Sequence, residues 1–172
     1  MSINQAMFKV CKYYYKSSEV QIVYITGERN YEKIKDKLEK DGIDVSNKNI
    51  KLKSYLHNME WAYAAADLIV YRAGATGLAE ITARGIPAIL IPYPHATGNH
   101  QEYNAKNLEK HGAAVVISDK NLNSKILLKR IKYLFSNKNI LENMAKKSKE
   151  MGNPRAAEDL AVLIDKMVEK SQ

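Results

Sequence analysis

Short apolar segments alternate along this chain with stretches of helical periodicity, and that alternation limits the fold more than any other feature. VQIVYIT (20–26), NIKLKSY (49–55), DLIVY (67–71), PAILIPY (87–93) and AAVVIS (113–118) are β-branched and often apolar on both faces. Strands of a parallel sheet covered on both sides read this way. Helical patterns lie between them: 29–41 with Tyr31, Ile34 and Leu38; 58–66 with Asn58 as its cap; 77–84 closed by Gly85; and 99–111 closed by Gly112. Glycine just past a periodic segment is the usual helix stop. The order predicts an α/β fold with right-handed crossovers, a parallel sheet carrying helices on both faces.

Beyond residue 118 the strands stop, and 123–136, 137–151 and 155–170 read as three successive helices with apolar faces, the last formed by Leu160, Leu163, Ile164 and Met167. The expectation is one domain over 1–172, an α/β core to residue 118 followed by C-terminal helices. The chain opens on a helix in which Ile3, Met7, Val10, Cys11 and Tyr14 share a face, and no strand precedes it. The first strand of a doubly wound sheet lies in its centre. A central gap with unpaired strand edges is therefore expected, and with it self-association or poor stability.

At 172 residues the chain can bury a core without staples. Cys11 is the single cysteine, which rules out a disulfide framework and a cysteine-rich metal site. No run reaches the roughly 18 apolar residues of a membrane span and no signal-peptide pattern is present, so the expected location is cytoplasmic. The net charge of +8, from 27 Lys+Arg against 19 Asp+Glu, admits an acidic partner or simply solvated helix faces. Nucleic acid is not expected, because no basic stripe is interleaved with aromatics.

The segment RAGATGLAE (72–80) joins a strand to a helix, where ligands bind in open α/β sheets. Ala73, Gly74, Ala75 and Gly77 let a ligand approach the backbone. Thr76 is placed to cap the helix, whose free amides and positive dipole end favour phosphate. Glu80 lies one turn in, where a carboxylate can accept from two vicinal hydroxyls, and Arg72 offers a charged fork. The alternative is a tight turn with Glu80 serving the helix dipole. Neither G-x-x-x-x-G-K-[ST] nor G-x-G-x-x-G is present, and no D-x-D stands ready to hold a divalent metal. YPHATGNHQEYNA (93–105) presents His95, Asn99, His100, Gln101 and Asn104, neutral donors and acceptors that suit sugar hydroxyls. A solvated loop, or a metal held by the two histidines, are the other readings.

The stretch ADLIVYRAGATGLAEITARGIPAILIPYPHATGNHQEYNAKNLEKHGAAVVI resembles the C-terminal half of the MurG family of N-acetylglucosaminyltransferases, which make the lipid-linked disaccharide of peptidoglycan. VSNKNIKLKSYLHNMEWAYAAADLIV upstream and NPRAAEDLA near the end extend the likeness over essentially the whole chain. Its specificity comes from the combination of R-[SA]-G-A, a glutamate eight residues after the arginine, G-[IL]-P-[AS] and H-Q-x-x-N-A. The resemblance implies half of a glycosyltransferase-B fold, in which this half holds UDP-N-acetylglucosamine and the other half receives the lipid acceptor and supplies the base. Matched by position, Glu80 would bind the ribose hydroxyls, and Leu56 with Tyr55 would line the uracil pocket. Arg72, Thr76 and Gly77 would lie beside the nucleotide and diphosphate, and Gln101, His100 and Asn104 would read the sugar hydroxyls. No catalytic residue, metal ligand or cofactor is expected in this chain. The family also implies peripheral attachment to the anionic inner face of the plasma membrane.

Members of that family carry G-G-S-x-G-A and a preceding strand before the helix that here begins SIN. Without two or three charge-assisted hydrogen bonds of about 1.5–3 kcal/mol each, diphosphate binding should weaken at least roughly a hundredfold. The chain alone is expected to be inactive. A donor-binding subunit of a two-chain transferase and a UDP-N-acetylglucosamine 2-epimerase-like protein are the alternatives, the latter disfavoured by the lack of an acid/base carboxylate constellation.

Overall fold

A computed structural model of the chain describes residues 2–46 and 49–169. Helix α1 (Ser2–Tyr14) buries Ala6, Met7, Val10, Cys11 and Tyr14, with Ile3 partly covered on the same face. Strand β1 (Ile22–Ile25) is followed by α2 (Tyr31–Lys40), which buries Ile34 and Leu38 at helical spacing. Then come β2 (Ile50–Lys53), α3 (Met59–Ala65), β3 (Ile69–Tyr71), α4 (Ala75–Arg84), β4 (Ala88–Leu90), α5 (His100–Lys110) and β5 (Ala114–Val116). Three helices finish the chain, α6 (Ser124–Ser136), α7 (Lys138–Met151) and α8 (Ala156–Glu169).

All pairings are parallel, as the apolar runs predict, but they form two sheets. β1 pairs with β2, and β3, β4 and β5 follow one another in order. No ladder among the described residues joins β1 to β3. One core nevertheless runs beneath both sheets, with Tyr24 and Leu52 from the first packed in the same cluster as Ile89 from the second and Ile91 just past it. The strands are shorter than the apolar runs that announce them. β4 is buried along its whole length, whereas β3 is only half-buried.

Two helix starts and one helix face differ from expectation. Asn58 stands at the start of α3 without a side-chain capping bond. α4 begins two residues earlier than predicted, with Gly74 and not Thr76 as its N-cap. The apolar face of α8 is formed as predicted but lies largely at the surface: Leu160, Leu163, Ile164 and Met167 are each more than half exposed. α6 and α7 do bury their faces, through Leu127, Ile131 and Leu134 and through Met144. Complete burial of an aliphatic side chain stabilises by about 1.5–3 kcal/mol. No described helix is long and apolar enough to cross a membrane.

Candidate functional site

The first turn of α1 touches the carboxyl ends of both sheets. The Asn4 side-chain amide donates to the Thr26 carbonyl (3.1 Å) just past β1, and the Tyr24 hydroxyl donates to the Asn4 carbonyl (2.9 Å). At the second sheet, the Arg72 guanidinium just past β3 donates through Nη2 to Ser2 Oγ (2.8 Å). Both sheets therefore present their carboxyl ends on the side where α1 begins. This is the edge at which open α/β sheets bind ligands.

Arg72 is more heavily engaged than a free charged fork would be. Its Nη1 donates to Asp119 Oδ1 at 2.7 Å and to the carbonyls of Ile91 and Pro92 at 3.1 Å each. Ser2 also donates to Asp119, which closes a triangle joining α1, β3 and the turn after β5. Burial alone would raise the Asp119 carboxyl. The hydrogen bonds from Ser2 and Arg72, together with the Arg72 charge, outweigh it and leave the pKa below the usual carboxylate value. A carboxyl with a lower pKa in the folded chain contributes stability that is complete above its unfolded pKa, about 4, and is lost as pH falls through the folded value. Asp119→Asn is expected to cost about 1–2 kcal/mol at neutral pH and to flatten the acid limb of the stability profile. Urea unfolding at a series of pH values measures both, and a mutant profile parallel to that of the parent chain would contradict the assignment.

β3 delivers the chain into α4 through Ala73, which is fully buried, and Gly74, whose backbone is extended (φ −71°, ψ 138°). The first backbone bond of the helix runs from the Leu78 amide to the Gly74 carbonyl (3.0 Å). The amides of Ala75, Thr76 and Gly77 are the orphan donors of a helix start, and no side chain caps them. They provide a concentrated site for negative charge. The small residues around them serve different ends. A Cβ on Gly74 would meet nothing within 4 Å, whereas one on Gly77 would stand 2.3 Å from Tyr71 Cε1. Gly77 thus packs on a tyrosine ring, and Gly74 leaves space in front of the helix.

Glu80 is exposed on the second turn of α4, and its Oε2 accepts a hydrogen bond from the hydroxyl of Tyr63 at 2.9 Å. Gln101 and Asn104 on α5 are tied to the same edge. Gln101 Oε1 accepts from the Tyr93 amide (2.9 Å), and the Asn104 side-chain amide donates to the Ala73 carbonyl (3.2 Å). His100 is exposed at the first position of α5, after a turn in which Gly98 and Asn99 both adopt left-handed backbone. Tyr55 and half-buried Leu56 follow β2 at the carboxyl end of the other sheet, Tyr55 edge-on to His57 (4.9 Å between centroids).

The structure therefore gathers Arg72, Thr76, Gly77, Glu80, Gln101 and Asn104 at one sheet edge and sets Tyr55 and Leu56 at the end of the other. None of these residues lines either of two depressions, of about 400 and 450 Å³, that lie against α6. No cluster of three or more His, Cys, Asp or Glu that could hold a metal occurs among the described residues. Ser2, Tyr63 and Asp119 escaped the sequence reading, since each acts through a partner at least 17 positions away.

Residues 1–160 match the glycosyltransferase family 28 C-terminal domain. The chain belongs to that family. Among curated relatives of this family-28 domain, a protein of Halothermothrix orenii is 53% identical over 165 residues, covering 95% of this chain and 44% of the relative. One from Desulforamulus reducens is 44% identical over 171 residues, covering 99% and 46%. Both are named UDP-N-acetylglucosamine–N-acetylmuramyl-(pentapeptide) pyrophosphoryl-undecaprenol N-acetylglucosamine transferase. The family-28 domain thus spans about half the length of these relatives. The crystal structure of Acinetobacter baumannii MurG superposes with a TM-score of 0.76 at 29% identity, over 94% of this chain and 46% of that one. The C-terminal domain of a group 1 glycosyl transferase from Francisella tularensis (TM-score 0.59, 16% identity) shares the fold alone. The family-28 domain is a Rossmann-like half of a glycosyltransferase-B fold, followed by C-terminal helices.

Proposed function

We propose that this chain is the donor-binding half of an inverting N-acetylglucosaminyltransferase that converts lipid I to lipid II in peptidoglycan synthesis. The observation that carries the reading is the α4 start, with its uncapped amides at Ala75–Gly77 and a surface carboxylate, Glu80, one turn further in. Amides suit the diphosphate of UDP-N-acetylglucosamine, and the carboxylate suits the two hydroxyls of its ribose. Tyr55 and Leu56 receive the uracil, Arg72 and Thr76 stand by the diphosphate, and His100, Gln101 and Asn104 read the sugar. As the acceptor hydroxyl attacks the anomeric carbon, charge develops on the departing diphosphate and the helix dipole stabilises it. The base lies outside this chain. Amide chemical-shift mapping tests the assignment: UDP-N-acetylglucosamine should move the Ala75, Thr76 and Gly77 resonances most. Shifts confined to other elements would contradict it.

The names of the relatives include a pyrophosphoryl-undecaprenol, a lipid substrate, and the same acceptor class is proposed here, met at the cytoplasmic face of an anionic membrane. A surface feature supports this. The paired helices α1 and α6 carry Lys9, Lys12, Lys125, Lys129, Arg130 and Lys132 without one acidic residue. Four of these lysines surround a depression floored by Leu128, an arrangement in which apolar stems lie below the charges. Each lysine near an anionic bilayer contributes about 1 kcal/mol. Replacing Lys125, Lys129 and Lys132 by Gln is therefore expected to reduce sedimentation with phosphatidylglycerol vesicles at least roughly tenfold. Equal partitioning of mutant and parent would refute the surface.

The unjoined edges of β1 and β3 support self-association of this chain, since open strand edges template pairing. Sedimentation velocity over a dilution series should show a concentration-dependent dimer, and a monomer at every concentration would count against it.

A further inference from the structure

Tyr63 on α3 is only 5% exposed, yet its hydroxyl emerges beside the exposed Glu80 carboxylate, 2.9 Å from Oε2. A buried phenol needs a partner for its hydroxyl, and here that partner is the only acidic side chain of α4. Among the described residues Glu80 forms no ion pair. This matters for what the carboxylate can still do. An arginine would occupy both oxygens and neutralise the charge. A phenol takes one lone pair of one oxygen and leaves Oε1 untouched.

The donor is itself held from behind. The Tyr71 phenol lies near enough to act electrostatically on that of Tyr63, and the Tyr71 ring lies against Gly77. Tyr71 therefore packs against the start of α4, and Tyr63 holds the carboxylate on its second turn. Burial first, and then the bond to Glu80, push the Tyr63 phenol upward, so it remains a donor throughout the neutral range. A glutamate free in solvent must be immobilised when a ligand binds, and the restraint imposed by Tyr63 reduces that loss.

We propose that Tyr63 is a positioning residue for sugar recognition: its buried hydroxyl fixes Glu80 Oε2 so that the rest of the carboxylate accepts a vicinal diol, making the site selective for ribonucleotides over 2′-deoxyribonucleotides. The inference rests on the reading of Glu80 as the ribose acceptor.

The test uses the 172-residue chain titrated calorimetrically with UDP and with 2′-deoxy-UDP. The parent chain should prefer UDP by roughly tenfold or more, the worth of a hydrogen bond to a charged group. Tyr63→Phe removes one oxygen and keeps the ring. It should weaken UDP binding roughly fivefold and 2′-deoxy-UDP binding less, so that the preference shrinks at least roughly threefold. Combined with Glu80→Gln, it should add almost nothing, because the two groups act as one unit. Glu80→Asp serves as an independent variant: it keeps the charge but withdraws the carboxylate from Tyr63, and should lose the preference too.

If Tyr63 merely ties α3 to α4, Tyr63→Phe will lower the melting temperature and leave the UDP preference at the parent value, which overturns the inference. Full preference retained by Glu80→Asp overturns it as well. A parent chain that binds UDP and 2′-deoxy-UDP equally removes the ribose role of Glu80 and the inference with it. One that binds neither removes the donor-site reading itself.

Discussion

Replacing Glu80 by alanine is expected to lower the affinity of the chain for UDP-N-acetylglucosamine by roughly 10- to 100-fold while leaving it folded. The side chain is exposed and its described contact is the Tyr63 hydroxyl, so its removal opens no cavity. Alanine is the best helix former, which favours the mutant helix. The cost to the fold is the Tyr63 hydroxyl left without its acceptor, about 1–2 kcal/mol. The cost to the ligand is larger in effect, because two ribose hydroxyls lose a charged acceptor together. Calorimetry and far-UV circular dichroism on the same preparation separate the two. Unchanged affinity in a folded mutant would remove Glu80 from the site.

The largest loss of stability is expected at Gly152, far in sequence from the candidate site. A Cβ there would lie 2.4 Å from the Thr82 carbonyl oxygen, 2.5 Å from its carbon and 2.6 Å from the Ala83 nitrogen. All three are α4 backbone, which cannot rotate away as a side-chain tip could. The backbone at Gly152 (φ −81°, ψ 143°) suits any residue, so the requirement is for space and not for conformation. Gly152→Ala must push α7 off α4, and overpacking of this kind costs about 3 kcal/mol or more. Because α4 carries the uncapped amides and Glu80, nucleotide affinity should fall as well. Gly74→Ala is the contrast: its Cβ meets nothing within 4 Å, and the expected change in stability is within about 0.5 kcal/mol. Urea midpoints compare the two directly. A Gly152→Ala midpoint equal to that of the parent would contradict the close approach of α7 to α4.

Much of this architecture was legible because parallel strands buried on both faces leave a compositional mark. PAILIPY announces β4, whose residues are all buried. Gly85 and Gly112 announce the ends of α4 and α5, where both take positive φ (74° and 77°). What the sequence concealed was set by distant neighbours. Thr76 has the chemistry of a cap, but Gly74 takes that position, and Gly77 fits where it does because it packs against Tyr71. The periodicity of α8 predicts an apolar face without saying what, if anything, covers it.

The candidate site divides along the same line. Residues clustered in one segment, from Arg72 to Glu80, can be proposed from spacing and chemistry, and the structure keeps them at one sheet edge. The groups that hold them could not be found so. Asp119 engages Arg72 across 47 residues and Ser2 does so across 70, and nothing local distinguishes either from a solvated polar residue. Tyr63 sits within a helical pattern whose period says only that it faces inward. Its hydroxyl acquires meaning from Glu80.

Calorimetric titration of the chain with UDP-N-acetylglucosamine, with UDP-glucose as the comparison, addresses the donor site most directly. Saturable binding of one equivalent, tighter for the acetylated sugar, is the predicted result. A folded sample that takes up neither nucleotide sugar, or that binds both equally, would contradict a donor site for UDP-N-acetylglucosamine in this chain.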